Sequence, residues 1–183
     1  MGRQTMFHVT ERLLLRPAWP EDAEAIFGGI SDEGVVRNLA SAPWPYRRED
    51  AESFVSRDHV AAYPRFLITQ KSRLIGCIGI DPVGEQGDGS VELGYWIARP
   101  YWGRGYATEA ARGMIDIARL IGHTRLSAGH FADNPASGRV LRKVGFRPTG
   151  QSARRHSCGR GEAAECVLFS LDLADQPQMP IAA

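Results

Sequence analysis

Gly103 and Gly105 stand in the run Tyr101-Trp102-Gly103-Arg104-Gly105-Tyr106-Ala107-Thr108-Glu109-Ala110, which follows a strand-like segment and opens a helical one. A helix start leaves about four backbone N–H groups unpaired and carries roughly half a positive charge. Glycine lets that backbone approach a ligand with no Cβ in the way. Residues 103–108 therefore form a candidate anion site suited to a pyrophosphate, with Arg104 able to add a charged contact at its mouth. The alternative is a tight turn that merely caps a helix. A dinucleotide fingerprint needs a third glycine where Thr108 stands, and a P-loop needs a Gly-Lys-Ser/Thr that this run lacks.

A second motif runs from Asp133 to Phe146 (DNPASGRVLRKVGF). Asn134 is a good N-cap, Pro135 takes the first helical position, and Gly145 suits a left-handed C-cap. At 100° per residue Asn134, Ser137, Gly138, Leu141 and Arg142 fall on one stripe, and Ala136, Val140 and Val144 on another suited to a core. The first stripe offers a polar cap, a hydroxyl, a gap and a cation along one line. A long, thin ligand with amides at one end and phosphate at the other fits it. A capped amphipathic helix is the plainer reading.

The elements that must position these motifs follow from periodicity. Residues 12–16 read as a strand closed by Pro17. Residues 20–30 read as a helix with Pro20 in its first turn and Ala23, Ile26, Phe27 and Ile30 on one face. Residues 47–63 suit a second helix, with Phe54, Val55 and Val60 as its apolar members. Between the two, prolines 43 and 45 place Trp44 and Tyr46 on a loop. Residues 66–70 and 74–80 form a hairpin, 84–90 a glycine-rich turn, and 91–98 another strand. Residues 101–121 run from the turn into a long helix, with Ala107, Ala111, Met114, Ala118 and Ile121 on one face. A strand at 124–130, a helix at 135–144 and a strand at 165–173 complete an α/β order with a mixed sheet. Residues 1–174 read as one domain and 175–183 as a frayed tail.

Composition bounds the partners. The 183 residues carry a net charge of +1, with 43% hydrophobic and 23% charged residues. That is ordinary globular composition, without a uniformly basic surface for nucleic acid. No apolar run approaches the ~20 residues of a membrane span. The first ten residues carry no apolar core of a signal peptide. Cys77, Cys158 and Cys166 lack metal-ligand spacing and suit a reducing, cytoplasmic setting, with no metal expected.

The runs ELGYWIxxxYWGRGYATEA (92–110) and NPASxRVLxKVGF (134–146) together resemble the GNAT superfamily of N-acetyltransferases. The opening TERLLLRP and the stretch WPYxxEDA are similar to its branch of RimJ/RimL-type ribosomal-protein alanine N-acetyltransferases. The resemblance spans roughly residues 10–173. It implies a mixed, mostly antiparallel sheet of about six or seven strands, with helices on both faces and a splay between the fourth and fifth strands. It implies acetyl-CoA as co-substrate. Trp96, Ile97 and Ala98 would then offer backbone to the pantetheine. Gly103, Arg104, Gly105, Tyr106, Ala107 and Thr108 would hold the pyrophosphate, and Asn134 would bond a pantetheine amide. Arg142 joins them as a phosphate ligand on its place in the helix stripe, and Ser137 lies against the same ligand. The chain departs from the wider superfamily twice. Pro100 stands where Gln or Arg is frequent, and Leu141 where a Tyr acid is frequent. Ser137, one turn earlier, matches the acid of the RimL-like branch.

Acyl transfer asks that a neutral amine attack a thioester and that the departing thiolate gain a proton. A lysine amine is only ~0.1% neutral near pH 7.4, a handicap of roughly 4 kcal/mol, whereas about a fifth of an α-amine is already neutral. Glu92, on the strand leading to the turn, is the candidate base through water; an outward-facing strand Glu is its plainer role. Ser137 is the candidate acid. His156, in the loop RRHSCGRGE, is a candidate polar group of the acceptor site, against a solvated loop histidine. Arg154, Arg155 and Arg160 make that loop basic, which would favour a carboxylate-bearing acceptor if the loop borders the site. Trp44 and Tyr46 are candidate walls of the acceptor pocket, or else plug the core edge. The acceptor is a peptide N-terminus or a small-molecule amine; a homodimer is left open. A non-catalytic acyl-CoA-binding domain and a nucleotide-binding protein are the competing classes.

Overall fold

In a computed structural model of the chain, the described residues are 6–57, 60–83 and 91–174. The turn expected at 84–90 and the tail at 175–183 lie outside them. The short strands β1 (His8–Val9) and β2 (Leu14–Arg16) lead into the helices α1 (Ala23–Ile30), α2 (Glu33–Val36) and α3 (Arg48–Val55). Strands β3 (Arg65–Gln70), β4 (Arg73–Pro82) and β5 (Val91–Ile97) follow, then helix α4 (Tyr106–Leu120) and β6 (Arg125–Phe131). Helix α5 (Pro135–Lys143) and the long hairpin β7 (Arg147–Ser157) and β8 (Glu162–Asp172) complete the order. Among the described residues, eight strands form one sheet in the order β1-β2-β3-β4-β5-β6-β8-β7.

Strand alternation divides the apolar residues between two layers. On β3, Phe66 and Ile68 face the core under α4, while Leu67 joins α1, α2 and α3 on the other face. On β5, Leu93 and Ile97 enter the first core and Trp96 the second. Helix α4 lays Ala110, Ala111, Met114, Ile117 and Ala118 on the sheet, and Leu141 brings α5 into the same core.

Every strand pair is antiparallel except β5 with β6, which is parallel and registers only Glu92 with Ser127 and Leu93 with Ala128. Beyond that point β5 continues to Ile97, still paired to β4. The two central strands thus part like a V. This is the splay expected between the fourth and fifth strands, shifted by one in number because β1 precedes them.

Three elements depart from the sequence reading. The sheet has eight strands rather than six or seven, because β1 and β7 had no apolar alternation to reveal them. β7 is an edge strand whose residues 147–152 are exposed, and it carries Pro148 and a register shift between Pro148 and Ser152. An edge so armed needs no apolar face, and charge and bulge protect it from pairing with other chains. The helix expected over 47–63 ends at Val55, and Val60 instead bridges Tyr63. Pro64 disfavours helical backbone at the residue before it. The RRHSCGRGE segment is the end of β7 and a tight turn, not an open loop.

Glu109 fixes the start of α4 to the N-terminal segment. Its carboxylate accepts from Thr10 Oγ1 at 2.6 Å, Arg12 N at 2.7 Å and Arg12 Nε at 2.7 Å. Arg12 also donates to the Arg104 carbonyl at 3.1 Å, inside the glycine turn. Burial pushes the Glu109 carboxyl up, but the hydrogen bonds from Thr10 and Arg12 outweigh it and hold the carboxyl below its ordinary value. A lowered folded pKa stabilises the fold above the unfolded value, near 4.3, and that contribution is lost as pH falls through the folded value. Glu109→Gln is expected to lower Tm at neutral pH by roughly 2–5 °C. Thermal melts should show the gap to the parent closing below about pH 4; a gap of the same size at about pH 3 would contradict this role.

Candidate functional site

The parting of β5 from β6 opens a cleft of about 700 Å³. The exposed edge of β5 runs along it. The turn at 103–108 and the starts of α4 and α5 wall one half, and residues 34–40 with Glu92, Arg155 and Cys166 wall the other.

Gly103 and Gly105 take φ values of 74° and 80°, in the left-handed region that favours glycine. Gly105 is the N-cap of α4, and the first helical ladder bond is the Glu109 N–H donating to Gly105 O at 3.1 Å. Among the described residues, no protein acceptor takes the N–H groups of 103–108. The turn therefore presents a row of free donors at the positive end of a fifteen-residue helix.

The β5 edge supplies a second row. Ala98 N–H donates to Ile75 O at 2.8 Å, toward β4. Alternation gives Trp96 the same direction and turns the backbone groups of Tyr95 and Ile97 toward the cleft. The Ile97 carbonyl takes the Trp102 Nε1–H at 2.6 Å. The expectation that Trp96, Ile97 and Ala98 face the ligand with their backbones is corrected accordingly: of the three, only Ile97 does, and Tyr95 joins it. Trp96 and Ile97 still border the cleft, although the Trp96 side chain packs in the second core, where Ala98 is also buried.

Helix α5 is bounded as its sequence dictates. Asn134 Oδ1 accepts from Ser137 N at 3.4 Å, and Gly145 takes a φ of 98°. Its stripes differ from the 100° reading. Gly138 is buried away from the cleft, Leu141 is buried at its wall, and Asn134, Ala136, Ser137, Arg139, Val140 and Lys143 line it. The gap at Gly138 holds the His130 ring: a Cβ there would sit 2.5 Å from His130 Nε2. Arg142 does not line the cleft; its guanidinium lies over the Phe169 ring at 5.3 Å. The cations of this helix that do reach the cleft are Arg139 and Lys143, one turn apart.

Glu92 and Ser137 enter the same cleft. Glu92 Oε1 accepts from Arg155 Nη1 at 2.5 Å. Burial lowers the Arg155 pKa, and the Glu92 hydrogen bond more than reverses that. Ser137 Oγ lies 2.8 Å from the Tyr95 hydroxyl. Cys166 lies beside the Glu92–Arg155 pair, and its thiol is pushed up by burial. Arg155 takes the place the sequence reading gave to His156. On β7, Arg155 and Ser157 turn inward, and His156 points out to solvent, as alternation requires. Trp44 is exposed and Tyr46 is buried in the second core, where burial pushes its phenol up to about 12. Neither lines the cleft. Arg104 stays outside it too, its guanidinium over the Tyr101 ring at 5.7 Å.

The far half is held by the β7–β8 turn. Ser157 Oγ donates to Leu39 O at 2.6 Å, Cys158 N to Ala40 O at 2.8 Å, and Arg160 Nε to Arg37 O at 2.7 Å. Arg160 also clasps Asp133 with both Nη atoms, at 2.9 and 2.7 Å, and Arg37 adds a third contact at 2.9 Å. The Arg160 hydrogen bonds hold the Asp133 carboxyl below its ordinary range.

Of the predicted residues, the structure brings Glu92, Trp96, Ile97, Gly103, Gly105, Tyr106, Ala107, Thr108, Asn134 and Ser137 to one cleft. Sequence reasoning missed Tyr95, Arg139 and Lys143, and it named Arg155 only as part of a basic loop, not as the partner of Glu92. The i, i+4 spacing of Arg139 and Lys143 was a signal for that pair; the basic cluster at 154–160 was a signal for Arg155, but with no apolar pattern on its strand nothing told which of those residues faces inward. Among the described residues, no group of three or more His, Cys, Asp or Glu side chains could hold a metal ion, and no helix is long and apolar enough to cross a membrane.

Comparison with known proteins agrees with this geometry. Residues 12–147 match the acetyltransferase (GNAT) domain family. The chain is 32% identical over 172 residues to the uncharacterized N-acetyltransferase YoaA of Bacillus subtilis (strain 168), covering 88% of this chain and 94% of that protein. A GNAT-family acetyltransferase structure from Bacillus anthracis superposes with a TM-score of 0.79 at 25% identity, covering 93% of this chain and all of that one. Mycobacterium smegmatis RimJ, solved in complex with CoA-disulfide, shares the fold with a TM-score of 0.78 at 21% identity, over 95% of this chain and 89% of that one. The chain belongs to the GNAT acetyltransferase family and is an acetyl-CoA-dependent acyltransferase.

Proposed function

We propose that the protein transfers the acetyl group of acetyl-CoA to a primary amine by direct attack in a ternary complex. The carrying observation is the row of free N–H groups at 103–108, set at one end of an open strand edge that leads to Glu92. In this reading those amides hold the diphosphate, with Arg104 at the mouth. The pantetheine runs along β5 and pairs with the Tyr95 and Ile97 backbone, and Asn134 bonds one of its amides. Arg139 and Lys143 take the 3′-phosphate in place of Arg142. The thioester then reaches the level of Glu92 and Ser137.

The acceptor amine enters from the half walled by residues 34–40. Glu92, oriented by Arg155, takes a proton from the attacking nitrogen through water. Backbone N–H groups at the splay steady the developing oxyanion. Ser137 faces the departing sulfur. An N-terminal α-amine asks least of this base, since a useful fraction is already neutral. A peptide N-terminus or a small amine is therefore the proposed acceptor, in the cytoplasm, where acetyl-CoA and the free thiols Cys77, Cys158 and Cys166 are at home.

Gly105→Glu puts a carboxylate and a disfavoured φ in the diphosphate site, so CoA binding by calorimetry should be lost while circular dichroism stays native; unchanged affinity would overturn the site. Neutralising Arg139 and Lys143 together as Gln should weaken CoA about tenfold. Dephospho-CoA, which lacks the 3′-phosphate, should lose less than about twofold in the same variant. Equal losses would remove these residues from the phosphate site. A screen of free-N-terminus peptides and small amines, read by a 42 Da mass gain, identifies the acceptor; no product across the panel despite tight CoA binding would contradict the transferase reading.

A further inference from the structure

Tyr95 and Ser137 form a hydroxyl pair inside the cleft, from two elements that meet only in the fold. Tyr95 sits on the open edge of β5, and Ser137 in the first turn of α5, with their oxygens 2.8 Å apart. The Tyr95 hydroxyl has one proton to place. Among the described residues its acceptors are both on Ser137: Oγ at 2.8 Å and the backbone O at 3.5 Å. The shorter contact is the better hydrogen bond. With the phenol donating, Ser137 Oγ is an acceptor and its own proton is left over. Among the described residues no protein acceptor takes that proton, and Ser137 lines the cleft. A serine in a helix's first turn otherwise tends to spend its hydroxyl on nearby backbone. Tyr95 holds it away from that use.

Resting on the acetyl-CoA reading above, we propose that Tyr95 is the positioning residue for Ser137: its phenol donates to Ser137 Oγ and so aims the Ser137 hydroxyl proton at the departing thiolate. The pair donates a hydrogen bond and does not itself ionise. Burial pushes the Tyr95 phenol up to about 12, the bond to Ser137 offsetting only part of that. A group that weakly acidic does not surrender its proton to a thiolate whose conjugate thiol has an ordinary pKa near 8.5. As the acceptor nitrogen bonds to the carbonyl carbon, the C–S bond breaks and its electron pair stays on sulfur, held by the Ser137 O–H. The proton that makes the free thiol is the one the nitrogen releases, carried through water from the Glu92 side. Tyr95 and Ser137 finish as they began.

The claim can be tested without an acceptor. Hydrogen bonding to a thiolate lowers its pKa, so the affinity for CoA should rise with pH relative to desulfo-CoA, which has no thiol. Calorimetric Kd values for both ligands between about pH 6.5 and 9.5 give that ratio. In the parent protein the preference for CoA should grow by about tenfold across the range. Tyr95→Phe, which keeps the ring and the backbone, should lose most of that growth; because the readout is the ratio to desulfo-CoA, any change common to both ligands cancels. Ser137→Ala should lose it too, and Tyr95→Phe added to Ser137→Ala should change nothing further. Full growth in Tyr95→Phe, a further loss in the double variant, or no growth in the parent would each overturn the proposal. A parent that binds neither ligand fails at the coenzyme reading instead, and this proposal goes with it.

Discussion

A β-strand edge and a helix start both carry backbone groups that must find partners, and here the two lie together with most of theirs unmet among the described residues, the Ile97 carbonyl of the edge being taken by the Trp102 indole. β5 keeps β4 on one side but loses β6 after Leu93, so the backbone of Tyr95 and Ile97 opens on a cleft. The α4 start at Gly105 adds the donors of 103–108 at the same cleft. Unpaired backbone is costly to bury and cheap to leave for a ligand that supplies acceptors in the right order. A chain of phosphate followed by amides meets that order. The rest of the molecule serves to keep this gap from closing.

Two sets of contacts do so. At the near end Glu109 ties the glycine turn to residues 10–13 through three hydrogen bonds, so the donors of the turn cannot drift from the β2 side of the sheet. At the far end the β7–β8 turn grips residues 36–40, with the buried Ser157 hydroxyl and Arg160 as fasteners. Between them Glu92 and Arg155 cross from β5 to β7 at the apex of the V, where Glu92 still registers with Ser127 of β6. The same ion pair aims the proposed base and props the strands, so loss of Arg155 would disturb both.

The glycine turn and the capped α5 start, the proposed coenzyme half of the cleft, were legible in the sequence because their signals are local. Glycines at positive φ, a proline at N1 of α5 and a cap at Asn134 need no knowledge of the rest of the chain. The acceptor half was not. Its residues come from α2, a four-residue helix too short for periodicity, and from β7, an edge strand whose polar face hides its alternation. That is why His156 stood in for Arg155: a segment taken for a loop has no inside and outside, and a strand does. The α5 stripes misled for a related reason. Ser137 and Arg142 were read as one stripe, but they are the two edges of a wide one; with Gly138 seated on His130 the cleft takes the Ser137 edge together with Arg139 and Lys143, and Arg142 is left outside it.

A crystal structure with CoA tests the central claim most directly. The diphosphate oxygens should lie within hydrogen-bond reach of N–H groups in 103–108, and the pantetheine amides should pair with Tyr95 and Ile97 but not with Trp96 or Ala98. A diphosphate bound elsewhere, or a pantetheine that leaves the β5 edge bare, would contradict the account.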